Sequence, residues 1–207
     1  MKGTLFIISS PSGGGKGTLI REARKGISNL SYSVSYTTRE IREGEAQGKN
    51  YFFVSVDEFK SLIDKDEFLE YAEVHGNFYG TSKSQVEKEI DAGNDIILEI
   101  DVQGAEIVRS KVKGSVNIFI LPPSYDVLKS RLLNRKTESA SDLKIRLSNA
   151  VKEVSEYKKF DFVIVNDDKE IAADELKTVF RGERLRTDRQ ETRIRDILNS
   201  FENAIED

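Results

Sequence analysis

Residues 9–19 read SSPSGGGKGTL and follow directly on the apolar run TLFIIS at residues 4–9. A buried strand that ends in a glycine-rich turn and continues into a helix presents backbone N–H groups and the positive end of the helix dipole to an anion. The glycines at 13–15 allow unusual φ angles and close approach of the main chain, and Lys16 adds a positive charge. This stretch therefore predicts a phosphate-binding loop that opens an α/β domain.

The loop departs from the pattern G-x-x-x-x-G-K-[ST] at both ends. Ser10 stands where glycine is expected, and Gly17 stands where a magnesium-binding hydroxyl is expected. Thr18 is one residue further along, which on a helix rotates it by about 100°. We therefore do not assume that Thr18 replaces the missing hydroxyl. An ordinary glycine turn into a helix remains the alternative for this stretch.

The composition is that of a globular protein. The chain has 207 residues, 38% hydrophobic and 33% charged, and no apolar run near the roughly 20 residues of a membrane helix. The net charge of -4 argues against general nucleic-acid binding, and the absence of cysteine excludes disulfides and thiolate metal sites. No secretory signal is apparent at residues 1–10. We expect a soluble cytoplasmic protein without a nucleic-acid or membrane partner, and the oligomeric state stays open.

Three further apolar runs lie at residues 95–100, 116–121 and 162–165. They do not alternate with polar residues, so they predict strands buried on both faces of a parallel sheet. Helices are expected at 17–25, 125–134 and 171–203. The fold class is therefore α/β: a P-loop parallel-sheet core with an inserted subdomain and a second, helical insertion. The predicted boundaries are 1–34, 84–124 and 150–207 for the core, 35–83 for the subdomain and 125–149 for the helical insertion.

A second group of polar residues begins with SYTTREIREGE at 35–45. Arg39 and Arg42 are three apart, so on one turn they would present two guanidinium groups to one phosphate dianion, and Tyr51 and Tyr79 would add hydroxyl donors. A polar surface loop with scattered ion pairs is the alternative. The charged stretch at 181–196 is interpreted as a solvated helix face with Arg184/Asp188 and Glu191/Arg195 pairs at a spacing of four.

Glu70 is the informative member of this group. A carboxylate accepts two hydrogen bonds and so fits the N1–H and 2-amino edge of guanine, whereas adenine presents a lone pair at N1. The hydroxyls of Ser35 and Thr81 would then donate to guanine O6. A site that buries polar groups in this way rejects a mismatched ligand by about 10⁴-fold.

Eight motifs occur here in the order and spacing seen in guanylate kinases: SSPSGGGKGTL, SYTTREIREGE, NYFFVSVDEFK, FLEYAEVHGNFYGTS, LEIDVQGA, ILPPS, RLLNR and VIVNDD. The chain closely resembles that family from about residue 3 to residue 186. The resemblance implies the reaction of ATP with GMP to give ADP and GDP, with Mg²⁺ as cofactor. It also implies that 35–83 binds GMP and that 125–149 closes as a lid.

The resemblance also implies roles for individual residues. ATP contacts are expected from Ser10, Pro11, Ser12, Gly13, Gly14, Gly15, Lys16, Gly17, Thr18, Asn166 and Asp168. GMP contacts are expected from Ser35, Arg39, Arg42, Glu45, Tyr51, Glu70, Tyr79, Thr81 and Asp101. The catalytic residues are expected to be Lys16, Arg39, Arg131, Arg135 and Arg146. Metal contacts, partly through water, are expected from Thr18, Glu99 and Asp101; Glu99 replaces the aspartate common in the family.

Two other functions remain open at this point. The same fold would serve an enzyme that uses mainly dGMP or another monophosphate, although Glu70 and Ser35 argue against AMP, CMP and UMP. Guanylate-kinase-like domains of membrane scaffolds bind partners without catalysis, but such domains typically lack the loop lysine and the arginines present here. His75 is the only histidine, and we expect it to be exposed and catalytically silent.

Overall fold

A computed structural model of the protein describes residues 2–74, 76–134 and 140–206, with backbone alone for 140–142, 144 and 204–206. The strands are β1 Leu5–Ser9, β2 Leu30–Tyr32, β3 Tyr36–Thr37, β4 Phe52–Phe53, β5 Phe68–Val74, β6 Asn77–Ser82, β7 Asp95–Glu99, β8 Val116–Leu121 and β9 Phe162–Val165. The helices are α1 Lys16–Ala23, α2 Val56–Asp64, α3 Lys83–Asp91, α4 Val102–Lys111, α5 Tyr125–Leu133, α6 Ala140–Val154, α7 Lys169–Glu183 and α8 Thr187–Glu206, with a short 3-10 helix at Ser155–Lys159.

The main sheet is parallel throughout and has the strand order β2-β7-β1-β8-β9. All five side chains of the central strand β1 are buried. Phe6 and Ile8 point into a core shared with α1 and α7, and Leu5 and Ile7 point to the opposite face, against α3 and α4. Helices thus cover both faces, as the apolar runs predict. The predicted α/β class with a parallel core sheet is confirmed.

The two edge strands differ from the prediction. Strand β2 was not predicted, because three residues of mixed polarity give no usable hydrophobic pattern. Strand β9 was expected to be buried on both faces, but Phe162, Val163 and Val165 are exposed and Ile164 alone is buried. The prediction was wrong because β9 lies at the edge of the sheet, where an apolar run does not guarantee that both faces are covered.

A second sheet, of order β4-β3-β6-β5, lies within residues 36–82. Helix α2 packs against it through Phe59, whose ring stacks on Phe68 at 4.6 Å and on Phe78 at 5.4 Å. The pairing of β5 with β6 shifts register between Phe68 and Glu70, so Leu69 forms a bulge and Glu70 pairs with Thr81. The limits assigned to the subdomain remain a prediction.

Helices α5 and α6 share a small core of their own. Leu128 and Leu132 of α5 meet Ala150 of α6, with Leu143 and Leu147 packed alongside. Residues 135–139, which include the predicted lid residue Arg135, lie outside the described residues, as does His75. The assignment of 125–149 as a lid therefore stays a prediction.

The carboxyl-terminal helix predicted for 171–203 is two helices, α7 and α8, separated at residues 184–186. The spacing of four predicted an ion pair between Arg184 and Asp188, but this pair does not form. The Nε of Arg184 donates instead to Oδ2 of the buried Asp95 at 2.6 Å, and Arg184 is the C-cap residue of α7. Every described side chain from Glu191 to Asn203 is exposed. In the described part of the chain no helix is both long and apolar enough to cross a bilayer.

Candidate active site

The phosphate-binding loop joins β1 to α1 and has the backbone geometry that its glycines allow. Gly13 and Gly15 have φ angles of 89° and 87°, in the left-handed region that favours glycine. The amide of Gly14 donates to the carbonyl of Pro11 at 2.9 Å, which closes the turn. A Cβ atom at residue 15 would collide with the side-chain amide of Asn166. The loop is therefore packed tightly from behind and open in front.

In front of the loop is a cavity of about 520 Å³. The nine loop residues predicted to contact ATP all line it: Ser10, Pro11, Ser12, Gly13, Gly14, Gly15, Lys16, Gly17 and Thr18. Arg21, Glu99, Asp101 and Glu153 complete the wall. A volume of this size falls in the range of small-molecule sites.

Lys16 lines this cavity and is half-buried. Its Nζ donates to the carbonyl of Ile100 at 2.9 Å. Burial lowers the pKa of Lys16, and the negative charges of Glu99, Asp101 and Glu153 oppose that shift. The ammonium group is thus held among carboxylates, where an anionic ligand would supply further neutralising charge.

Gly17, which departs from the usual phosphate-loop pattern, lies against Glu99, which was expected to replace an aspartate. A Cβ atom at residue 17 would stand 3.2 Å from Oε1 of Glu99, so the longer carboxylate fills space that a serine or threonine would need. The hydroxyl of Tyr32 donates to Oε2 of Glu99 at 2.9 Å. Burial and the Glu99 charge raise the pKa of Tyr32, so it remains a donor.

Glu70 lies buried on β5, opposite Thr81 of β6. Thr81 Oγ1 donates to Oε1 of Glu70 at 2.6 Å. Burial raises the pKa of Glu70, and the Thr81 hydrogen bond partly opposes the shift. The hydroxyl proton of Thr81 is used on this carboxylate, so the expectation that Thr81 donates to guanine O6 is not met in this structure.

The side chains expected to hold the acceptor phosphate form a cluster around Glu45. Arg39 donates through one guanidinium nitrogen to both oxygens of Glu45, at 2.7 and 3.0 Å, and the backbone amide of Arg42 donates to Oε2 at 2.9 Å. Arg39 also lies 5.5 Å from the ring centre of Tyr51, and Glu45, with a smaller effect of Tyr79, raises the pKa of Arg39. The segment is a loop rather than a helical turn. Glu45 thus joins the guanidinium of Arg39 to the backbone of Arg42, whose side chain is exposed.

A second cavity, of about 310 Å³, lies beside this cluster and is lined by Ser35, Tyr51 and Glu99 among others. Glu99 therefore borders both cavities. On the other flank, a Cβ atom at Gly104 would lie 3.2 Å from Oδ1 of Asp101 and 3.3 Å from Oε2 of Glu70. Asp101 thus connects the Lys16 cavity to the buried Glu70, while its Oδ1 caps α4 through the Gly104 amide at 2.7 Å.

Asn166 and Arg131 support the loop from the back. Asn166 Nδ2 donates to the carbonyl of Gly14 at 2.9 Å, and Arg131 donates to the carbonyl of Asn166 at 2.8 Å. Both residues border a further cavity of about 330 Å³, together with Lys169. Asp168 is exposed, and its carboxylate caps α7 by accepting from the amides of Glu170 and Ile171 at 2.8 and 3.0 Å.

The other residues predicted for catalysis or metal contact are Arg146, Arg135 and Thr18. Arg146 is half-buried on α6. Arg135 lies outside the described residues. Thr18 is exposed, and its Oγ1 accepts from Arg21 at 3.4 Å, a long contact. The placement of Thr18 therefore gives no support to a direct metal contact.

The residues available to a metal are few. Within the described ranges no three histidine or carboxylate side chains cluster closely enough to form a site by themselves. Glu99 and Asp101 line the cavity in front of the loop. One or two carboxylates combined with substrate phosphates are the usual ligands of Mg²⁺ in such sites, so this donor set fits that ion.

Four residues of the site were missed in the sequence. Arg21 lies one helical turn after Thr18, and this spacing was a usable signal. Lys169 follows directly on the VNDD motif, and its position next to this motif was also a usable signal. Tyr32 and Glu153 gave no local signal. Tyr32 is 67 residues from its hydrogen-bond partner Glu99, and Glu153 is 141 residues from its partner Ser12, so only the fold brings each pair together.

The parallel sheet, the glycine loop with its lysine and the adjoining arginine cluster define a P-loop phosphotransferase of the nucleoside monophosphate kinase class. The family model for guanylate kinase matches residues 2–183. The chain belongs to the guanylate kinase family.

Named relatives agree with this assignment. The chain is 49% identical over 186 residues to guanylate kinase of Geobacter metallireducens, covering 90% of this chain and 92% of the relative. It is 47% identical over 202 residues to guanylate kinase of Escherichia coli K12, covering 97% and 98%. The crystal structure of guanylate kinase from Anaplasma phagocytophilum superposes with a TM-score of 0.75 at 38% identity, covering 91% of this chain and 89% of that one. The protein is therefore an ATP:GMP phosphotransferase.

Proposed function

We propose that this chain transfers the γ-phosphoryl group of magnesium-bound ATP to GMP, and also to dGMP, in cytoplasmic purine nucleotide metabolism. The observation that carries the choice of guanine is the buried carboxylate of Glu70. It is held by Thr81 and stands across Gly104 from Asp101, and Asp101 lines the cavity that contains Lys16. Recognition through the base edge and the phosphate makes no use of the ribose 2′-hydroxyl, and this supports acceptance of dGMP.

On the donor side, ATP would place its phosphates on the amides of the glycine loop, with Lys16 against the terminal oxygens. Asn166 and Arg131 keep the loop in this form from behind. Their cavity, with Lys169, is the proposed position of the adenine. Asp168 takes part by capping α7 and so fixing the chain next to Asn166.

On the acceptor side, GMP would place its phosphate among Arg39, Arg42, Tyr51 and Tyr79. Glu45 orients Arg39 and holds the pKa of its guanidinium raised. Ser35 and Asp101 would contact the base or its surroundings. Because Glu99 borders both cavities, the two nucleotides would meet beside it.

Glu99 and Asp101 would hold Mg²⁺, which when bound neutralises charge on the phosphoryl group in transit. Catalysis of this transfer rests on positioning and charge neutralisation more than on covalent chemistry. Lys16, Arg39 and Arg131 supply fixed positive charge, and Arg146 and Arg135 are proposed to add theirs when 125–149 closes over the core. Closure would also exclude water and so limit hydrolysis of ATP.

The decisive experiment measures ADP release with ATP and one acceptor at a time. GMP and dGMP should support turnover, whereas AMP, CMP, UMP and the absence of any acceptor should not. Equal turnover with AMP would contradict the role of Glu70. Absence of turnover with every acceptor, in a protein that still binds GMP, would indicate a binding module instead.

A further inference from the structure

The phosphate-binding loop already has an anionic partner within the chain. Oε2 of Glu153 accepts a hydrogen bond from the backbone amide of Ser12 at 3.1 Å, although the two residues are 141 positions apart. Ser12 is the residue before the three loop glycines, and Glu153 lines the cavity in front of them. A carboxylate of α6 therefore accepts a hydrogen bond from one backbone amide of the phosphate-binding loop.

This carboxylate stands where a phosphate oxygen of the donor nucleotide belongs. A backbone amide has one hydrogen, so Glu153 and a phosphate oxygen compete for it directly. The Glu153 charge also acts on Lys16, where it opposes the effect of burial on the pKa. Carboxylate and phosphate are both anions, so their proximity would be unfavourable by Coulomb repulsion as well. ATP has to displace Glu153 before it can occupy the loop fully.

Glu153 is on the last turn of α6, which ends at Val154. The preceding turns of this helix carry Leu147 and Ala150, which pack on Leu128 and Leu132 of α5. The Ser12–Glu153 hydrogen bond thus connects the end of α6 to the loop. Loss of this bond on ATP binding would release one end of the helix pair proposed to form the lid.

We propose that Glu153 is an internal competitor for the phosphates of ATP: it lowers donor affinity and makes release of the α6 end depend on occupation of the loop. The inference rests on the proposed position of ATP in the loop. It assigns to Glu153 an effect opposite in sign to that of an ordinary binding residue, since removing its charge strengthens binding.

The test compares Glu153→Ala and Glu153→Gln with the unchanged protein by calorimetric titration with ATP, with tripolyphosphate and with GMP. Glu156→Gln is the matched control, because Glu156 lies three residues further along, pairs with Lys159 at 2.6 Å and does not line the loop cavity. We expect Glu153→Ala to bind ATP and tripolyphosphate about 3- to 10-fold more tightly, in line with the loss of one partly exposed charge contact. Glu153→Gln should show a smaller gain, because its amide oxygen still accepts from Ser12. GMP affinity should be unchanged in all variants.

A second measurement follows amide exchange in residues 147–154. ATP should raise exchange there in the unchanged protein, and Glu153→Ala, which cannot accept from Ser12, should show raised exchange without ATP. Unchanged or weaker ATP binding by both Glu153 variants, in proteins that melt normally, would overturn the role of Glu153. If the unchanged protein bound GMP but neither ATP nor tripolyphosphate, the proposed donor site itself would be wrong.

Discussion

At the scale of single residues, Glu70 shows how burial and recognition are connected. A carboxylate loses hydration when it is buried, and one hydrogen bond from Thr81 replaces only part of it. The second oxygen, Oε2, faces Gly104, where the absence of a side chain leaves room beside the carboxylate. A guanine edge with two donors would complete its hydrogen bonding, whereas adenine would leave it unsatisfied. The energetic cost of burying the group is what would make the proposed recognition of guanine selective.

Replacement of Glu70 tests this selectivity. Glu70→Gln puts an amide donor against a guanine donor, so we expect kcat/KM for GMP to fall roughly 10- to 100-fold while the Kd of ATP stays the same. Glu73→Gln is the matched control, since Glu73 is an exposed residue on the same strand. Steady-state kinetics with GMP and calorimetry with ATP give the two numbers. Normal GMP kinetics in Glu70→Gln would contradict guanine recognition by this residue.

The raised pKa of Glu70 gives a pH dependence of defined sign. Burial favours the neutral carboxyl, so its protonation begins at a higher pH than for an exposed glutamate. Guanine binding needs the ionised form, so kcat/KM for GMP should fall as the pH decreases through this raised pKa. Folding shows the opposite trend, since protonation removes a buried charge and stabilises the protein over the same range.

The measurement is kcat/KM for GMP between about pH 5 and pH 8, in the unchanged protein and in Glu70→Gln. In the variant the decrease attributable to this group should disappear. A decrease of the same size and midpoint in both proteins would assign the titration to another group.

At the scale of elements, the carboxyl end of α7 is joined to the main sheet through one buried acid, in addition to the apolar core that α7 shares with β1. Asp95 begins β7, accepts from the Thr4 amide at 2.9 Å and receives Arg184 Nε at 2.6 Å. Arg184 also donates to the carbonyl of Asn29 at 2.9 Å. One guanidinium thus joins the end of α7 to the strand edge beside β2.

Removal of this guanidinium should destabilise the fold. Arg184→Gln leaves the buried Asp95 without its cationic partner, and we expect the free energy of unfolding to decrease by about 1–3 kcal/mol. Arg186→Gln is the control, because Arg186 is exposed and its ion pairs are long, so its effect should stay within about 0.5 kcal/mol. Urea denaturation of both variants measures the difference. Equal decreases in the free energy of unfolding in the two variants would show that the Arg184–Asp95 contact contributes no more to stability than an exposed ion pair.

The same element shows where sequence-based prediction ends. The apolar runs identified four of the five strands of the main sheet, because strands buried in a parallel sheet carry a continuous signal. The break between α7 and α8 was missed, since 184–186 contain no glycine or proline, and the contact that Arg184 makes there is with the distant Asp95. The loop residues were found because a single segment contains them. Glu153 and Tyr32 were not, because only the folded chain brings them to Ser12 and Glu99.

At the scale of the whole molecule, the two cavities belong to different parts of the chain and meet at Glu99, the last residue of β7. One side carries the loop and Lys16, and the other carries Ser35 and Tyr51. Both proposed substrates are anions, so a carboxylate between them would repel each one. A cation held by Glu99 would reverse this effect and draw the two phosphates together.

Glu99 should therefore affect the rate of transfer more than the binding of either nucleotide. In Glu99→Ala we expect kcat to fall at least about tenfold and the Mg²⁺ concentration for half-maximal rate to rise, because the metal loses a carboxylate partner. Tyr32→Phe is the matched control: it removes the 2.9 Å hydrogen bond to Glu99 and leaves the carboxylate in place, so its Mg²⁺ requirement should change little. Kinetics over a range of Mg²⁺ concentrations, with GMP and ATP affinities measured separately, check both. A Glu99→Ala protein with an unchanged Mg²⁺ requirement would mean that the phosphates approach without help from this residue, and that the metal is held by Asp101 and the nucleotides alone.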